Sequence, residues 1–236
     1  MKSTTLSYRI FPLGDAAVTV DFGNIIDKSI NQQVLHLFNS LQNDPLPGMK
    51  EVVPAYSSLA VYYNAIDVRK KHNGSMTAFD SMSAQIKERL DQSLTDIETV
   101  SKLVSIPVCY EKELAPDIEY LANAKSISVD ELIRMHTSKE YRVYMLGFLP
   151  GFSYMGEVDE KIAIARKPQP ITVASGSVGI AGRQTGIYPM TCPGGWQIIG
   201  RTPVQLFDPG KDEPTLLKAG DRVQFISISK DEFENY

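Results

Sequence analysis

The stretch SGSVGIAGRQTGIYPMTCPGGWQIIGRTP, residues 175–203, holds seven of the chain's sixteen glycines and its one tryptophan, but no histidine, aspartate or glutamate. Glycine adopts positive φ angles and lets other groups approach the main chain closely. We therefore expect turns that present main-chain N–H groups, arginines and one aromatic plane. Strand-like runs, turns and loops extend from Lys139 to the C-terminal DRVQFISIS. This composition favours a closed or nearly closed β-barrel.

The first hundred residues switch between the two hydrophobic periods. In AAVTVDF the apolar residues Val18 and Val20 alternate with polar or small ones, which predicts a half-buried strand. After Asp27, a candidate N-cap, apolar residues recur every three or four positions, as in a helix. The order of predicted elements is a strand at 16–22, a helix at 27–42, strands at 51–56 and 57–64, a solvated loop at 67–77 and a helix at 79–94. This order predicts an α+β N-terminal domain over residues 1–98.

A polar segment at 95–102 separates this α+β pattern from a second pattern of helices and strands, and it is the predicted domain boundary. The strand LVSIPVCY begins the second pattern, and two short helices follow it. Pro116 and Asp117 are predicted to open the first of these helices, and Ser128 with Glu131 has the spacing of a capping box for the second. We therefore predict a mainly-β barrel domain carrying two short helices over residues 99–236.

Composition limits the partners and the location of the chain. Its 236 residues include 24 basic and 28 acidic side chains, a net charge of −4, so no positive field is present to attract nucleic acid. No signal peptide and no apolar run of membrane-spanning length is found. We expect a soluble, cytoplasmic protein that binds neither nucleic acid nor membrane.

Cysteine and histidine are too scattered to indicate a metal centre. Cys109 and Cys192 have no metal-ligand spacing and are expected to be reduced thiols, and the three histidines lie far apart in sequence. His136, near the end of a predicted helix, is interpreted as a residue that compensates the helix dipole. No bound metal or prosthetic group is predicted for this chain.

The sequence lacks the common catalytic motifs. Its candidate functional feature is a set of hydrogen-bond donors that could bind an anion. SGSVG lacks the glycine that a nucleophile elbow needs at position 175, and no dinucleotide or P-loop glycine pattern occurs. Successive N–H groups in glycine-rich turns bind anions, and Arg166, Arg183 and Arg201 flank these turns. The alternative is that each arginine covers the barrel rim and pairs with a surface carboxylate.

The aromatic residues allow two interpretations each. Trp196 is either a stacking platform or part of the barrel core, and the core is favoured because large aromatic side chains are mostly buried. GFLPGFSYMG, residues 147–156, groups its aromatic side chains on one turn, which suits a pocket wall or a protein interface. The candidate interface residues are Phe148, Pro150, Phe152 and Tyr154.

Three segments carry a family resemblance. GDAAVTVDFG, EYRVYMLGFLPGFSYMG and GSVGIAGRQTGIYPMTCPGGWQIIGRTPVQLFDP resemble the 5-oxoprolinase B-subunit family, also named allophanate hydrolase subunit 1 or KipI, and the similarity covers residues 8–228. The resemblance implies a cyclophilin-like barrel after an α+β domain. It implies two partners, the A-type and C-type subunits of 5-oxoprolinase, of which the C-type carries a related barrel. It also implies an assembled complex that uses ATP with magnesium to open 5-oxo-L-proline to L-glutamate.

The resemblance and the donor-rich segment together predict a site that a partner completes. Activation of a lactam by phosphorylation creates negative charge, which N–H groups and arginines stabilise. The candidate substrate- or anion-binding residues are Arg166, Gly176, Ser177, Gly182, Arg183, Gln184, Tyr188, Trp196 and Arg201. Before the glycine segment the chain reads IARKPQPITVASGS, where the family pattern has a second arginine and further prolines.

Two other functions stay open at this point. In one, the barrel docks on a sensor histidine kinase through the aromatic loop 147–156 and inhibits its autophosphorylation, as the name KipI implies. In the other, weaker alternative, the chain belongs to an allophanate- or urea-metabolising hydrolase. The sequence motifs are common to all three functions.

Overall fold

The computed structural model of the chain describes residues 7–70, 76–92 and 101–236. The chain divides into one unit that ends at Val100 and a second that begins at Ser101. The predicted domain boundary between residues 98 and 99 lies outside the described residues, since 93–100 are not among them.

An antiparallel sheet forms the framework of the first unit. Its four described strands, in spatial order, are β1 (Arg9–Pro12), β2 (Ala17–Asp21), β4 (Ser58–Tyr63) and β3 (Met49–Pro54). Val18 pairs with Val61 and Val20 with Leu59, and all four side chains are fully buried. The alternation in AAVTVDF thus places its valines on the buried face, as predicted.

Helices cover the buried face of this sheet. They are α1 (Lys28–Asn43), α2 (Ala65–Lys70) and α3 (Ala78–Gln92). The Asp27 carboxylate accepts the Ile30 N–H and caps α1, as predicted. The predicted loop at 67–77 is wrong in its first part, because α2 runs to Lys70: the Asn64 side chain accepts the N–H groups that open this helix, and Val68 packs into the core. Residues 71–75 of that loop lie outside the described residues.

Seven strands close into a barrel within residues 101–236, which confirms the predicted closed β-barrel. Around the barrel they are β10 (Gln184–Ile187), β7 (Ser153–Gly156), β6 (Glu140–Leu146), β13 (Arg222–Ile228), β5 (Leu103–Cys109), β12 (Gln197–Arg201) and β9 (Ser177–Ala181). Only the pair β13 and β5 is parallel in this ring. A separate two-stranded ribbon consists of β8 (Ile171–Val173) and β11 (Cys192–Gly194).

Short helices accompany the barrel. They are α4 (Ile118–Ala124), α5 (Val129–Thr137), a 3₁₀ turn (Glu160–Ile162) and α6 (Lys230–Glu234). The first two are the predicted pair. Only half of the predicted capping box forms: Ser128 accepts the Glu131 N–H, whereas the Glu131 carboxylate binds Arg134. No helix in the described residues is both long and apolar enough to cross a bilayer.

Candidate functional site

The amides of the glycine segment form main-chain hydrogen bonds within the barrel. The N–H of Gly176 donates to the Tyr188 carbonyl at 2.7 Å, and the N–H of Gly182 donates to the Ile164 carbonyl at 2.6 Å. The N–H of Ser177 donates to the carbonyl three residues earlier at 3.2 Å. These donors, which the sequence suggested for anion binding, are therefore already engaged.

Two other glycines of the segment make room for aromatic rings. A Cβ on Gly186 would lie 3.0 Å from a ring atom of Trp196 and 3.2 Å from one of Phe152. A Cβ on Gly194 would lie 2.7 Å from the hydroxyl oxygen of Tyr188. Because real Cβ atoms do not approach so closely without displacement, these glycines permit the packing of the three rings.

The rings meet in an aromatic cluster of five residues with Phe152 at its centre. Its ring centroid lies 4.8 Å from that of Tyr154, 5.1 Å from that of Tyr188 and 5.5 Å from that of Trp196, each in an edge-to-face arrangement. Phe148 packs on its outer side at 5.6 Å. Such geometry is the one that aromatic quadrupoles favour. The structure thus joins residues predicted for a partner interface with residues predicted as site walls.

A cleft of about 250 Å³ opens beside this cluster. Trp196 is half-buried and forms one of its walls, so this side chain is part core and part surface. The lining consists of the aromatic cluster together with Arg166, Lys167, Pro168, Pro170, Pro193, Gly194 and Gly195. Among these described residues there are two cations and no aspartate, glutamate or histidine. Such a surface suits a small, flat, acidic molecule.

Of the three arginines predicted for an anion site, Arg166 alone lines the cleft. It is exposed, and within the described residues its guanidinium has no hydrogen bond or ion pair. Arg183 instead forms an ion pair with Glu157. The Nε of Arg201 donates to the Ser175 carbonyl at 2.8 Å, and its guanidinium lies over a ring of α6. Arg166 is therefore the arginine placed to bind an acid in this cleft.

Several predicted residues do not line this cleft. Gly182, Arg183 and Gln184 lie at the turn between β9 and β10, and Gly176 precedes β9. A second hollow, of about 180 Å³, contains Ser177 and Arg201. Pro150 lies on the turn that carries Phe148 but is outside the lining. Those predicted residues therefore do not form one site with Arg166.

The sequence analysis did not predict the contact between Lys167 and Asp117. The Lys167 ammonium forms an ion pair with the Asp117 carboxylate, and both side chains are mostly buried. Asp117 precedes α4 as predicted, but its side chain makes no capping hydrogen bond. The strand residue that it contacts lies 81 positions further along the chain, so no local pattern could have indicated this contact.

The tyrosines of the cleft stay protonated at neutral pH. Burial raises the pKa of Tyr188 to about 12, although a hydrogen bond from the Trp196 main chain partly opposes the shift. Burial also raises the pKa of Tyr154. Neither hydroxyl is suited to act as a base, because desolvation disfavours the phenolate. These tyrosines therefore give the described cleft no strong base.

His136 lies in the barrel core, away from the cleft. Its Nδ1 is 2.8 Å from the Tyr110 hydroxyl and its Nε2 is 3.0 Å from the Thr185 hydroxyl, which donates to the Gly179 carbonyl at 3.1 Å. Complete burial lowers the pKa of His136 to about 3. The interpretation of His136 as a dipole-compensating cation is therefore wrong, since a neutral imidazole carries no such charge.

No metal centre occurs in the part of the chain that the structure describes, where no group of three or more His, Cys, Asp or Glu side chains is placed to hold an ion. Cys109 and Cys192 are both free thiols. The described lining of the cleft presents an arginine, a lysine, aromatic rings and tyrosine hydroxyls.

The family model "Carboxyltransferase domain, subdomain C and D" matches residues 8–217, so the chain belongs to that domain family. The 5-oxoprolinase B subunit of Bacillus subtilis is 43% identical over 234 residues, 98% of each chain. That of Escherichia coli O157:H7 is 33% identical over 92% of this chain and 95% of its own. The chain therefore belongs to the 5-oxoprolinase B-subunit family.

A solved structure supports the fold independently. The crystal structure of TTHA0988 superimposes with a TM-score of 0.76 at 31% sequence identity. The match covers 90% of this chain and 40% of the TTHA0988 chain. The same architecture is therefore present within a longer polypeptide.

Proposed function

We propose that this chain is a cytoplasmic component of an ATP-dependent 5-oxoprolinase that, with partners of the A and C types, opens 5-oxo-L-proline to L-glutamate. In the net reaction, water adds its oxygen to the lactam carbonyl carbon, the C–N bond breaks, and the nitrogen takes a proton. The names of the relatives support the substrate, and the cleft supports the role of this chain in binding it.

The observation that carries the proposal is the presence of Arg166, with no hydrogen bond or ion pair in the described residues, in the same cleft as the aromatic cluster. 5-Oxoproline is a small flat ring with one carboxylate. A guanidinium can bind a carboxylate with two parallel hydrogen bonds, and the aromatic residues of the lining, Trp196 and Tyr154 among them, offer apolar surface for the ring. The cleft, of about 250 Å³, is large enough for a molecule of this size.

The lack of a carboxylate or histidine in the described lining supports a site that a second protein completes. Ring opening needs a group that activates water and a group that protonates the leaving nitrogen. We propose that the related barrel of the C-type partner supplies both. Phe148 at the cleft mouth is 62% exposed, which suits an interface residue, and Pro150 lies on the same turn.

ATP and magnesium fit the cleft poorly. It offers one unpaired guanidinium for three phosphates, and no carboxylate in its described lining can hold the metal ion. We therefore propose that the partner proteins bind ATP, whose hydrolysis supplies the free energy for opening an unstrained lactam. This chain then contributes binding of the 5-oxoproline carboxylate and exclusion of water by the aromatic cluster.

We further propose the domain organisation for this function. The α+β domain spans residues 1–98 and the cyclophilin-like barrel domain spans 99–236. The division of contacts between Val100 and Ser101 supports this boundary. We propose a structural role in the barrel, and not ligand binding in the cleft, for the predicted residues that lie outside the cleft: Gly176, Ser177, Gly182, Arg183, Gln184 and Arg201.

The test is the kinetics of the complex assembled with the A-type and C-type partners. Arg166→Ala should raise the KM for 5-oxoproline by about ten- to a hundredfold. This expectation follows because a hydrogen bond to a charged group contributes about 1.5–3 kcal/mol. Arg134→Ala removes an exposed arginine of α5 and serves as the control. A larger effect of Arg183→Ala than of Arg166→Ala would place the site at the β9–β10 turn instead.

Partner capture tests the assembly. Affinity purification from the native cell should recover A-type and C-type 5-oxoprolinase proteins together with 5-oxoproline-dependent ATP hydrolysis. Recovery of a sensor histidine kinase without that activity would contradict the proposal and support a kinase inhibitor.

A further inference from the structure

One mostly buried carboxylate connects two segments that line the cleft. The Oδ2 atom of Asp117 accepts the Ile198 N–H at 2.6 Å and also binds the Lys167 ammonium. The Asp117 N–H donates back to the Ile198 carbonyl at 2.9 Å. In addition, the Lys167 N–H donates to the Gly195 carbonyl at 2.6 Å. The cation-bearing segment is thereby joined to the segment that carries Trp196.

These bonds lie where water competes poorly. The side chains of Lys167 and Asp117 are 14% and 16% exposed, and Ile198 is buried. Removal of one partner from such a pair leaves a buried charge without compensation, so the contact is hard to break. An ordinary cap for α4 does not explain this carboxylate, because its side chain accepts no N–H of that helix.

We propose that Asp117 is a positioning residue of the cleft. It fixes Lys167, and therefore the neighbouring Arg166, at a set position relative to the segment that carries Trp196. Asp117 acts through these residues and does not itself line the cleft. The positioning role rests on the contacts alone, whereas its effect on 5-oxoproline rests on the proposed function.

The single tryptophan of the chain reports on this arrangement without any ligand. In Asp117→Asn the shape is kept but the charge that holds Lys167 is lost, and in Asp117→Ala both bonds are lost. We expect higher acrylamide quenching of Trp196 fluorescence and a shifted emission maximum, with a larger change in Asp117→Ala. Circular dichroism verifies that each variant is folded. If Asp117→Ala does not fold, the Trp196 signal of Asp117→Asn alone tests the positioning role.

Asp21 provides a matched control in the other unit. Its side chain is 14% exposed, binds Arg9 and accepts the Gly23 N–H at 3.0 Å, so it makes the same two kinds of bond as Asp117. Asp21→Asn should leave the Trp196 signal unchanged. If folded Asp117→Asn and Asp117→Ala both give the wild-type signal, the positioning role is overturned.

A kinetic arm separates this proposal from the proposed function. In the assembled complex, Asp117→Asn should raise the KM for 5-oxoproline about tenfold with little change in kcat, because binding geometry and not chemistry is disturbed. If Trp196 responds but neither Asp117→Asn nor Arg166→Ala changes KM, the positioning role stands and 5-oxoproline is not the ligand of this cleft. A fall in kcat at unchanged KM would contradict positioning.

Discussion

Phe152 and Trp196 meet edge to face, with ring centroids 5.5 Å apart and ring planes at 90°. Phe152 is almost completely buried, whereas Trp196 is half-buried and faces the cleft. The contact therefore packs a wall of the cleft onto a small buried cluster that lies beside the main barrel core. It exists because no side chain occupies Gly186, which lies beside both rings.

Gly186→Ala should destabilise the protein and disturb the cleft together. The added Cβ would lie 2.9 Å from the Ser153 carbonyl oxygen and 3.0 Å from Trp196. We expect a loss of about 1–3 kcal/mol in the free energy of unfolding, the usual cost of overpacking, with a changed Trp196 emission. Urea titration followed by fluorescence measures both. In the control Gly195→Ala, the nearest atom lies at 3.5 Å; an equal loss there would contradict this explanation.

The sequence predicted most of the helices and strands of the first unit and the pair α4 and α5, because local signals determine them. The cap at Asp27, the helical period after it and the strand pattern of AAVTVDF each depend on neighbouring residues alone. Even α6 had a local signal that went unused, since Ser229 and Glu232 form a complete capping box. Helix α2 was missed because Asn64 opens it from a stretch that reads as a polar loop.

The site was only partly predictable, because pairing across the barrel determines it. Arg166 and Trp196 were among the candidates, yet nothing local distinguished Arg166 from Arg183, whose charge is paired with Glu157. Likewise, a glycine-rich segment does not show whether its amides face a ligand or a neighbouring strand. Here the segment forms strands, and its glycines permit the close approach of rings.

Phe148→Gly should separate stability from function. Phe148 has a φ of 69°, a left-handed conformation that costs a non-glycine residue roughly 1–2 kcal/mol. Because its side chain is largely exposed, we expect the free energy of unfolding to change by less than about 1 kcal/mol. Association with the C-type partner should weaken, as measured by calorimetric titration. Ser126→Gly relieves a similar φ of 57° and is the control; equal weakening by both changes would exclude an interface role for the Phe148 ring.

Thr185→Val should break the buried chain of hydrogen bonds at its centre. The Thr185 hydroxyl accepts from His136 and donates to the Gly179 carbonyl, and valine removes both hydrogen bonds from the core. We expect a loss of about 1–3 kcal/mol in the free energy of unfolding by urea titration. Thr185→Ser keeps the hydroxyl and should recover most of it. If serine and valine are equally destabilising, packing and not hydrogen bonding explains the contribution of Thr185 to stability.

The stability of the barrel should fall as the pH drops below 6.5, because His136 is buried in its neutral form. Burial lowers its pKa from 6.5 to about 3, so between these values the unfolded chain binds a proton that the folded chain does not. Unfolding then becomes easier as the pH falls, by up to about 1.4 kcal/mol per pH unit. The stabilisation is complete above pH 6.5 and is lost progressively towards pH 3. Urea titrations between about pH 7 and pH 5 measure this slope before most carboxylates titrate. In His136→Gln the slope should disappear, whereas His36→Gln, in α1, should keep it; a wild-type slope in His136→Gln would show that another group causes the acid sensitivity.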